Sequence, residues 1–313
     1  MQKLLILTGP TAVGKTKLSL ALAHQLNGEI ISADSMQVYR GMDIGTDKIL
    51  PAERDGIPHH LIDIMDPRED FNVFRFQELA LKAIDGISAR GHLPILVGGT
   101  GFYIQSVLYR VDFTKESDDG SLRRKLEERA GTEGAEVLHR ELAERDPDAA
   151  AAIHPNNVKR VIRALEYHAL TGGRISEHNE EERRREPAFD ARYFVLTDDR
   201  SRLYERIDRR VDQMMAEGLE EEVRTLLSSG LTGREVSMQG LGYRQMARYL
   251  KGEITREEAV YRIKLETRHF AKRQITWFKR EREVRYIDRQ QYPSDADALR
   301  AILAIAEPWL EQE

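Results

Sequence analysis

Short apolar runs alternate with amphipathic helical patterns over the first third of the chain. The runs are four or five residues long, which is typical of buried strands. Lys15–Gln25 and Val73–Arg90 have the apolar spacing of helices instead. The strand candidates are Leu4–Leu7, Glu29–Ala33, His60–Ile64 and Pro94–Val97. This alternation predicts an α/β core whose parallel sheet is flanked by helices.

The pattern changes near residue 113, where strand candidates stop and helical spacing continues. The predicted helices there are Ser121–Arg129, Ala135–Arg145 and Asn157–Leu170. The highly charged stretch Glu177–Glu186 is predicted to be a solvated helix end or loop. Strand character then returns at Tyr193–Leu196 and Val284–Ile287. We therefore predict a catalytic core formed by residues 1–112 and 190–313, interrupted by an all-helical insertion at residues 113–189.

Composition narrows the class of protein. The chain has 313 residues, enough for a sizeable core, and contains no cysteine, which excludes disulfides, thiol catalysis and cysteine-based zinc sites. No apolar run approaches the roughly 20 residues that a membrane-spanning helix needs, so we expect a cytoplasmic protein without membrane association.

Charge is distributed unevenly along the chain. The formal net charge is −5, which argues against a globally basic nucleic-acid binder. Residues 262–282, however, carry eight basic and two acidic side chains, a local net charge of +6. Such asymmetry points to an anionic partner better than the total does, although a merely solvated helix face explains it equally well.

The sequence Gly9-Pro10-Thr11-Ala12-Val13-Gly14-Lys15-Thr16 matches the phosphate-binding loop G-x-x-x-x-G-K-[ST] in full. It follows a predicted strand and opens a predicted helix, as this motif requires. Its backbone N–H groups and the helix N-terminus favour an anion. Lys15 supplies a positive charge, and the Thr16 hydroxyl can hold Mg²⁺. We call residues 9–16 the P-loop.

The usual second half of a nucleotide-hydrolysing site is missing. Kinases and hydrolases of this class place a metal-binding Asp at the end of another apolar strand. The candidate strand Pro94–Val97 instead ends in Gly98-Gly99-Thr100-Gly101. The P-loop is thus expected to bind a pyrophosphate other than that of a hydrolysed nucleotide, unless Asp63 provides the metal ligand.

Asp34 directly follows the second predicted strand. A carboxylate at the carboxyl end of a strand faces the ligand crevice of an open α/β sheet. Asp34 is therefore a candidate general base or metal ligand, and a turn-capping role is an equal alternative. His59 and His60 resemble a metal pair, but adjacent strand residues point to opposite faces, so a structural role is predicted.

Six sequence blocks together resemble the tRNA dimethylallyltransferase family in its short bacterial form. They occur in the family's order and span most of the chain. The blocks are Gly9–Thr16, Ile31–Tyr39, Gly41–Thr46, Leu96–Gly101, Gly240–Met246 and Lys272–Trp277. The resemblance implies a P-loop NTPase-like fold and a transferase that moves a dimethylallyl group from dimethylallyl diphosphate to an adenosine amine in tRNA, with Mg²⁺ as cofactor.

The resemblance also implies roles for individual residues. Asp34, Thr100 and Arg210 are implied as catalytic residues, although Arg206 and Arg209 lie close enough in sequence to compete with Arg210. The implied pyrophosphate-binding residues are Gly9, Thr11, Ala12, Val13, Gly14, Lys15 and Thr16, with Thr16 as the Mg²⁺ ligand. The implied tRNA-binding residues are Asp34, Ser35, Met36, Gln37, Arg123, Lys159, Arg160, Gln239, Gly240, Gly242, Tyr243 and Arg244. Lys272 and Arg273 are further predicted tRNA contacts, because they belong to the basic segment 262–282.

The expected partner is a tRNA anticodon stem-loop, and the enzyme is expected to act as a monomer. Three alternatives remain open at this point. A P-loop kinase for a small molecule would turn over ATP, a noncatalytic RNA-binding NTPase would leave the RNA unmodified, and a prenyltransferase could use free AMP or ADP. The helical insertion and the basic segment favour a macromolecular acceptor.

Overall fold

The computed structural model describes residues 1–113 and 120–312. It divides the chain into two compact units. The first combines Met1–Leu108 with Ala188–Glu313, and the second comprises Tyr109–Pro187. The divisions fall between residues 108 and 109 and between 187 and 188, whereas the sequence placed them after residues 112 and 189.

A six-stranded parallel sheet forms the centre of the first unit, in the order β3-β2-β4-β1-β5-β6. The strands are β1 Lys3–Thr8, β2 Gly28–Ser32, β3 His59–His60, β4 Leu93–Gly98, β5 Asp190–Thr197 and β6 Val284–Asp288. Helices cover the sheet, so the predicted α/β class with a parallel sheet is confirmed. Because all strands are parallel, the loops that follow them emerge at one edge, where ligands of such sheets bind.

Several helices of the first unit begin at a side chain that accepts a hydrogen bond from a free N–H group of the first turn. The Asn72 side chain accepts a hydrogen bond from the Arg75 N–H, and Thr255 accepts one from Glu258. These helices are α1 Lys15–Gln25, α2 Val73–Ala89, α3 Gly101–Leu108, α9 Arg200–Glu217, α10 Leu219–Ser228, α11 Tyr243–Leu250, α12 Arg256–Phe278 and α13 Asp295–Leu310. Among the residues described, no helix is long and apolar enough to cross a membrane.

The third strand is shorter than predicted. The sequence indicated His60–Ile64, but pairing with β2 ends at His60. Leu61 and Asp63 adopt left-handed φ angles of 63° and 58°, which break an extended strand. The Asp63 carboxylate accepts a hydrogen bond from Lys48 at 2.5 Å, and the Lys48 side chain is buried. The Asp63 carboxylate is therefore already paired with Lys48.

Every helix or strand that the structure describes in the second unit is a helix. Its helices are α4 Ser121–Thr132, α5 Ala135–Arg145, α6 Pro147–Ala152, α7 Val158–Thr171 and α8 Ile175–Arg184. They surround a small apolar core that includes Leu138, Leu142 and Leu165. Most of the charged stretch predicted as a helix end or loop belongs to α8. The inserted helical domain of the predicted fold is thus confirmed.

Candidate active site

An open cleft of about 600 Å³ lies at the carboxyl edge of the sheet. The P-loop, which connects β1 to α1, forms its floor. The segments that follow β2 and β4 form further walls, and side chains from α9 and α12 complete the lining. The topology explains this convergence, since β4 lies between β1 and β2 and all three strands end at the same edge.

The P-loop turns its backbone around the entrance to α1. Gly14 adopts a left-handed φ of 97°, which a side chain would strain, and no side chain caps the helix. The Lys15 ammonium donates to the carbonyls of Gly9 and Pro10 at 3.0 and 2.8 Å. Burial, together with the nearby Arg210 charge, lowers the pKa of Lys15 to about 8. An anion bound in the cleft would offset both the burial of the Lys15 charge and its repulsion from Arg210.

Arg210 reaches the P-loop from α9. Its Nη1 donates to the Thr11 hydroxyl at 3.0 Å, and its Nη2 pairs with the Asp47 carboxylate at 2.7 Å. The buried Nε has no hydrogen-bond partner among the residues described. Burial lowers the pKa of Arg210, while Asp47 and Asp34 oppose that shift. A buried guanidinium with an unpaired N–H is well suited to an anionic ligand.

The two competing arginines lie differently. Arg206 also lines the cleft, but its guanidinium pairs with Asp198, whose side chain is buried. Arg209 is exposed at the cleft margin, and its Nε donates to the Glu205 carbonyl at 3.4 Å. Of the three side chains, Arg210 is the one hydrogen-bonded to the P-loop.

Asp34 caps a turn with one of its two carboxylate oxygens. Its Oδ1 accepts hydrogen bonds from the Met36 and Gln37 N–H groups at 2.8 and 3.3 Å, which makes it a turn-capping residue. Its Oδ2 has no hydrogen-bond partner among the described residues, and the side chain lines the cleft. The carboxylate charge partly offsets the lowering of the pKa of both Lys15 and Arg210. One oxygen thus fixes the loop while the other remains available for chemistry.

Thr100 lies beside the cleft rather than in its lining, which includes the neighbouring Gly98 and Gly99. It directly precedes α3, and its carbonyl accepts from the Tyr103 N–H at 2.9 Å. Its own N–H donates to the Ala33 carbonyl at 3.4 Å, next to Asp34. The segments after β2 and β4 are therefore joined at this point.

Residues 35–37 and the loop at 239–244 adjoin each other. A side chain on Gly240 would collide with the Met36 methyl group, so these two residues are in close contact. Ser35 and Met36 are partly exposed, and Gln239 and Arg244 are exposed. Gln37 lines the cleft and also holds this loop, since its amide accepts from Ser32 and donates to the carbonyls of residues 46 and 47.

Tyr243 is fully buried, so its side chain is unavailable to a tRNA surface in this conformation. Its hydroxyl donates to Glu222 at 2.6 Å. The same carboxylate accepts from the backbone N–H groups of Asp43, Ile44 and Gly45. Tyr243 therefore supports the loop through Glu222, a residue that no sequence block had indicated.

Much of the positive charge on α12 is neutralised locally. Arg262 pairs with Glu258, Lys264 with Asp212, and Arg268 with Asp208. Lys272 and Arg273 are exposed, and the Arg273 guanidinium lies 5.7 Å from the centre of the Phe270 ring. The net charge of the segment overstates the cations available to a partner.

Three predicted tRNA-binding residues belong to the second unit. Arg123 of α4 forms an ion pair with the buried Glu166 of α7 at 2.5 Å, which joins the two helices. Lys159 and Arg160 are exposed in the first turn of α7. Of this group, Lys159 and Arg160 present their charge most openly.

The sequence interpretation missed three groups in the cleft. Asp47 pairs with Arg210, Phe270 lines the wall, and Gln274 connects two loops. Gln274 lies in a block that resembles the known family, so the sequence could have singled it out. Its hydrogen-bond partners could not be predicted, because they come from distant parts of the chain.

Comparison with known proteins identifies the family. The model of the IPP transferase family matches residues 37–281, and that of the isopentenyl transferase family matches residues 2–63. A tRNA dimethylallyltransferase of Lachnoclostridium phytofermentans is 57% identical over 305 residues, which is 97% of each chain.

Solved structures give the same result. The tRNA isopentenylpyrophosphate transferase of Staphylococcus epidermidis is 40% identical with a TM-score of 0.73, covering 98% of this chain and 100% of its own. A eukaryotic dimethylallyltransferase acting on tRNA is 32% identical with a TM-score of 0.85, covering 100% of this chain and 82% of its own. The resemblance and the P-loop NTPase-like fold are confirmed, and the chain belongs to the IPP transferase family.

Proposed function

We propose that this transferase moves a dimethylallyl group from dimethylallyl diphosphate to the exocyclic amine of the adenosine 3′ of the anticodon in tRNA. The observation that carries the proposal is the content of one cleft. A cationic P-loop site lies there beside a carboxylate with a free oxygen. The first suits a pyrophosphate, and the second suits an amine that must lose a proton.

The reaction forms a bond between the adenine N6 and C1 of the prenyl group as the C1–O bond breaks. The bonding electrons leave with pyrophosphate. Lys15 and Arg210 neutralise the charge that develops on it, and the Thr100 hydroxyl adds a hydrogen bond. Asp34 Oδ2 takes the proton from N6, because an amine conjugated to its ring is a poor nucleophile without a base.

The cleft also fits Mg²⁺. The exposed Thr16 hydroxyl has no hydrogen-bond partner among the described residues. Mg²⁺ is usually bound by one or two protein oxygens together with substrate phosphates and water. Thr16 would hold the ion, which when bound supplies charge neutralisation on the pyrophosphate.

The acceptor must present an extruded base, since N6 lies on the Watson–Crick edge of adenine. A single-stranded anticodon loop makes extrusion inexpensive. Residues 35–37 and the exposed side chains of Gln239 and Arg244 are the proposed contacts near the cleft. Lys159 and Arg160 are the proposed phosphate contacts of the helical unit, and a monomer is the proposed active species.

A small-molecule kinase is the less favoured function. It requires a metal-binding acid, and Asp63, the candidate from the sequence, is held by the buried Lys48. Prenyl transfer to free AMP or ADP shares the same chemistry, so it must be separated by experiment.

The test is incubation of the protein with unmodified tRNA, dimethylallyl diphosphate and Mg²⁺ without ATP, followed by mass analysis of the nucleosides. Isopentenyladenosine in the tRNA, absent when a tRNA lacking that adenosine is used, supports the proposal. Strict dependence on ATP would contradict it. Faster prenylation of AMP than of tRNA would replace the macromolecular acceptor with a free nucleotide.

A further inference from the structure

Gln274 of α12 connects two loops of the cleft. Its side chain is almost completely buried, with 6% of the residue exposed. Its Oε1 accepts from the backbone N–H of Thr11 at 2.9 Å, and its Nε2 donates to the Gly99 carbonyl at 2.9 Å. One amide thus ties the P-loop to the segment that follows β4.

The orientation of this amide is determined by its partners. A backbone N–H can only donate and a carbonyl can only accept, so the oxygen of Gln274 must face Thr11 and its nitrogen must face Gly99. Substitution with an apolar side chain of similar size would leave a partly buried N–H and a buried carbonyl unpaired. Such losses are costly in a protein interior.

The segment after β4 is shaped to receive α12. A Cβ on Gly99 would lie 2.2 Å from Gln274 Nε2, and a Cβ on Gly101 would lie 2.2 Å from Trp277 Cδ1. Gln274 and Trp277 are three residues apart and share one face of the helix. α12 therefore holds the chain on both sides of Thr100.

Thr11 is fixed from a second direction as well. Its N–H is bound by Gln274 and its hydroxyl accepts from Arg210, so α12 and α9 both position this P-loop residue. The groups proposed to act on the pyrophosphate lie on opposite sides of the bond network: Arg210 on the P-loop side and Thr100 on the β4 side.

We propose that Gln274 is a positioning residue that sets the spacing between the P-loop and the Gly98–Thr100 segment, so that Arg210 and Thr100 act on one departing pyrophosphate. It acts through Thr11 and Gly99 and not by contact with the reacting atoms. This inference rests on the proposed prenyl transfer, and it adds a residue that acts on the rate of that step.

Two variants test the role. Gln274→Met keeps the approximate volume but removes both hydrogen bonds, and we expect kcat to fall about tenfold to a hundredfold, more than KM for dimethylallyl diphosphate rises. Gln274→Glu keeps the acceptor for Thr11 but, when ionised, turns a carboxylate oxygen toward the Gly99 carbonyl. Its kcat should rise as the pH falls and that carboxyl becomes protonated, relative to the wild type at each pH.

The matched control is Gln25→Met, which makes the same change at an exposed helical glutamine. If the wild type transfers the prenyl group and the kcat of Gln274→Met lies within twofold of the wild-type kcat, the inference is overturned. The proposed function then remains intact. Loss of kcat that disappears when Gln274→Met is assayed well below its melting temperature would also overturn it, in favour of a purely structural role. If Gln274→Met does not fold, the pH profile of Gln274→Glu decides, and a profile parallel to the wild type rejects the inference. No transfer by the wild type would instead reject the proposed function.

Discussion

The cations of the cleft and those along α12 differ in what surrounds them. Lys15 and Arg210 are fixed by hydrogen bonds to the P-loop and lie within reach of a carboxylate whose second oxygen is free. On α12, several cations pair with nearby acids and others, such as Lys272, extend into solvent. The cleft is organised before a ligand arrives, whereas the helix surface is not, and charge in a sequence window does not distinguish the two.

Substitution of Asp34 should produce the largest effect. Asp34→Asn keeps an Oδ1 that accepts from Met36 and Gln37, so the loop should persist, but an amide cannot take the proton. We expect turnover to fall by roughly 10²–10⁴, the range for a positioned acid–base group. Binding of dimethylallyl diphosphate should change much less, since the P-loop holds it. Single-turnover rates at saturating tRNA measure this.

Asp34→Ala is the companion variant, since it removes the cap as well as the base. It should match the loss in turnover and additionally raise KM for tRNA, because the 35–37 segment loses its anchor. Near-normal turnover of Asp34→Asn at saturating tRNA would show that Asp34 serves only as a turn cap.

Arg210→Met should come next, with kcat reduced about a hundredfold, the scale for removing one pre-positioned group that stabilises developing charge. The structure separates Arg210 from its neighbour, because Arg210 donates to the hydroxyl of the P-loop Thr11 while Arg209 is exposed. Arg209→Met is therefore the matched comparison and should lose much less. Equal losses for the two variants would contradict the assignment.

How much of this arrangement the sequence predicts depends on the range of the interactions. The P-loop and Asp34 were identified because each follows a strand directly, and parallel strands bring such ends together. Arg210 could not be separated from Arg206 and Arg209, because the choice is made by contacts with Thr11, Asp47 and Asp198. The resemblance of the block Gly240–Met246 predicts Tyr243 as a tRNA contact, and its burial could not be predicted because the bond to Glu222 comes from another helix.

The fold followed the same rule. Strands with continuous apolar runs were placed to within three residues at each end, and the edge strand β3 was not, since two left-handed residues end it. Such backbone conformations are set by tertiary contacts, here including the Lys48–Asp63 ion pair, and leave little trace in the local pattern.

The binding of dimethylallyl diphosphate should weaken as the pH rises through about 8. Burial lowers the pKa of Lys15 to about 8, and an anion binds best to the protonated amine. The affinity should be highest below that pH and fall by up to about tenfold per unit above it, with uptake of a proton on binding. Calorimetry in two buffers of different ionisation enthalpy measures the affinity and the number of protons taken up. The arginine of Lys15→Arg does not titrate in this range. In this variant the plot of affinity against pH should no longer bend near pH 8, even if the affinity itself is lower. A bend that is unchanged in Lys15→Arg would assign it to another group.

The smallest effect concerns the surface of α12, and it tests the comparison most directly. Each phosphate contact releases counterions, so losing one should flatten the salt dependence of RNA binding by up to about one unit of log–log slope, and less on single strands. Lys272 is exposed and has no ion-pair partner among the described residues, whereas Arg268 pairs with Asp208 at 3.5 Å. Lys272→Ala should therefore flatten the slope for an anticodon stem-loop and leave the affinity for dimethylallyl diphosphate unchanged.

Arg268→Ala, on the same helix, should alter the slope less, because the charge of Arg268 is already compensated. An unchanged slope in Lys272→Ala would mean that this face only solvates the helix. The RNA contacts would then have to come from the 239–244 loop and the helical unit.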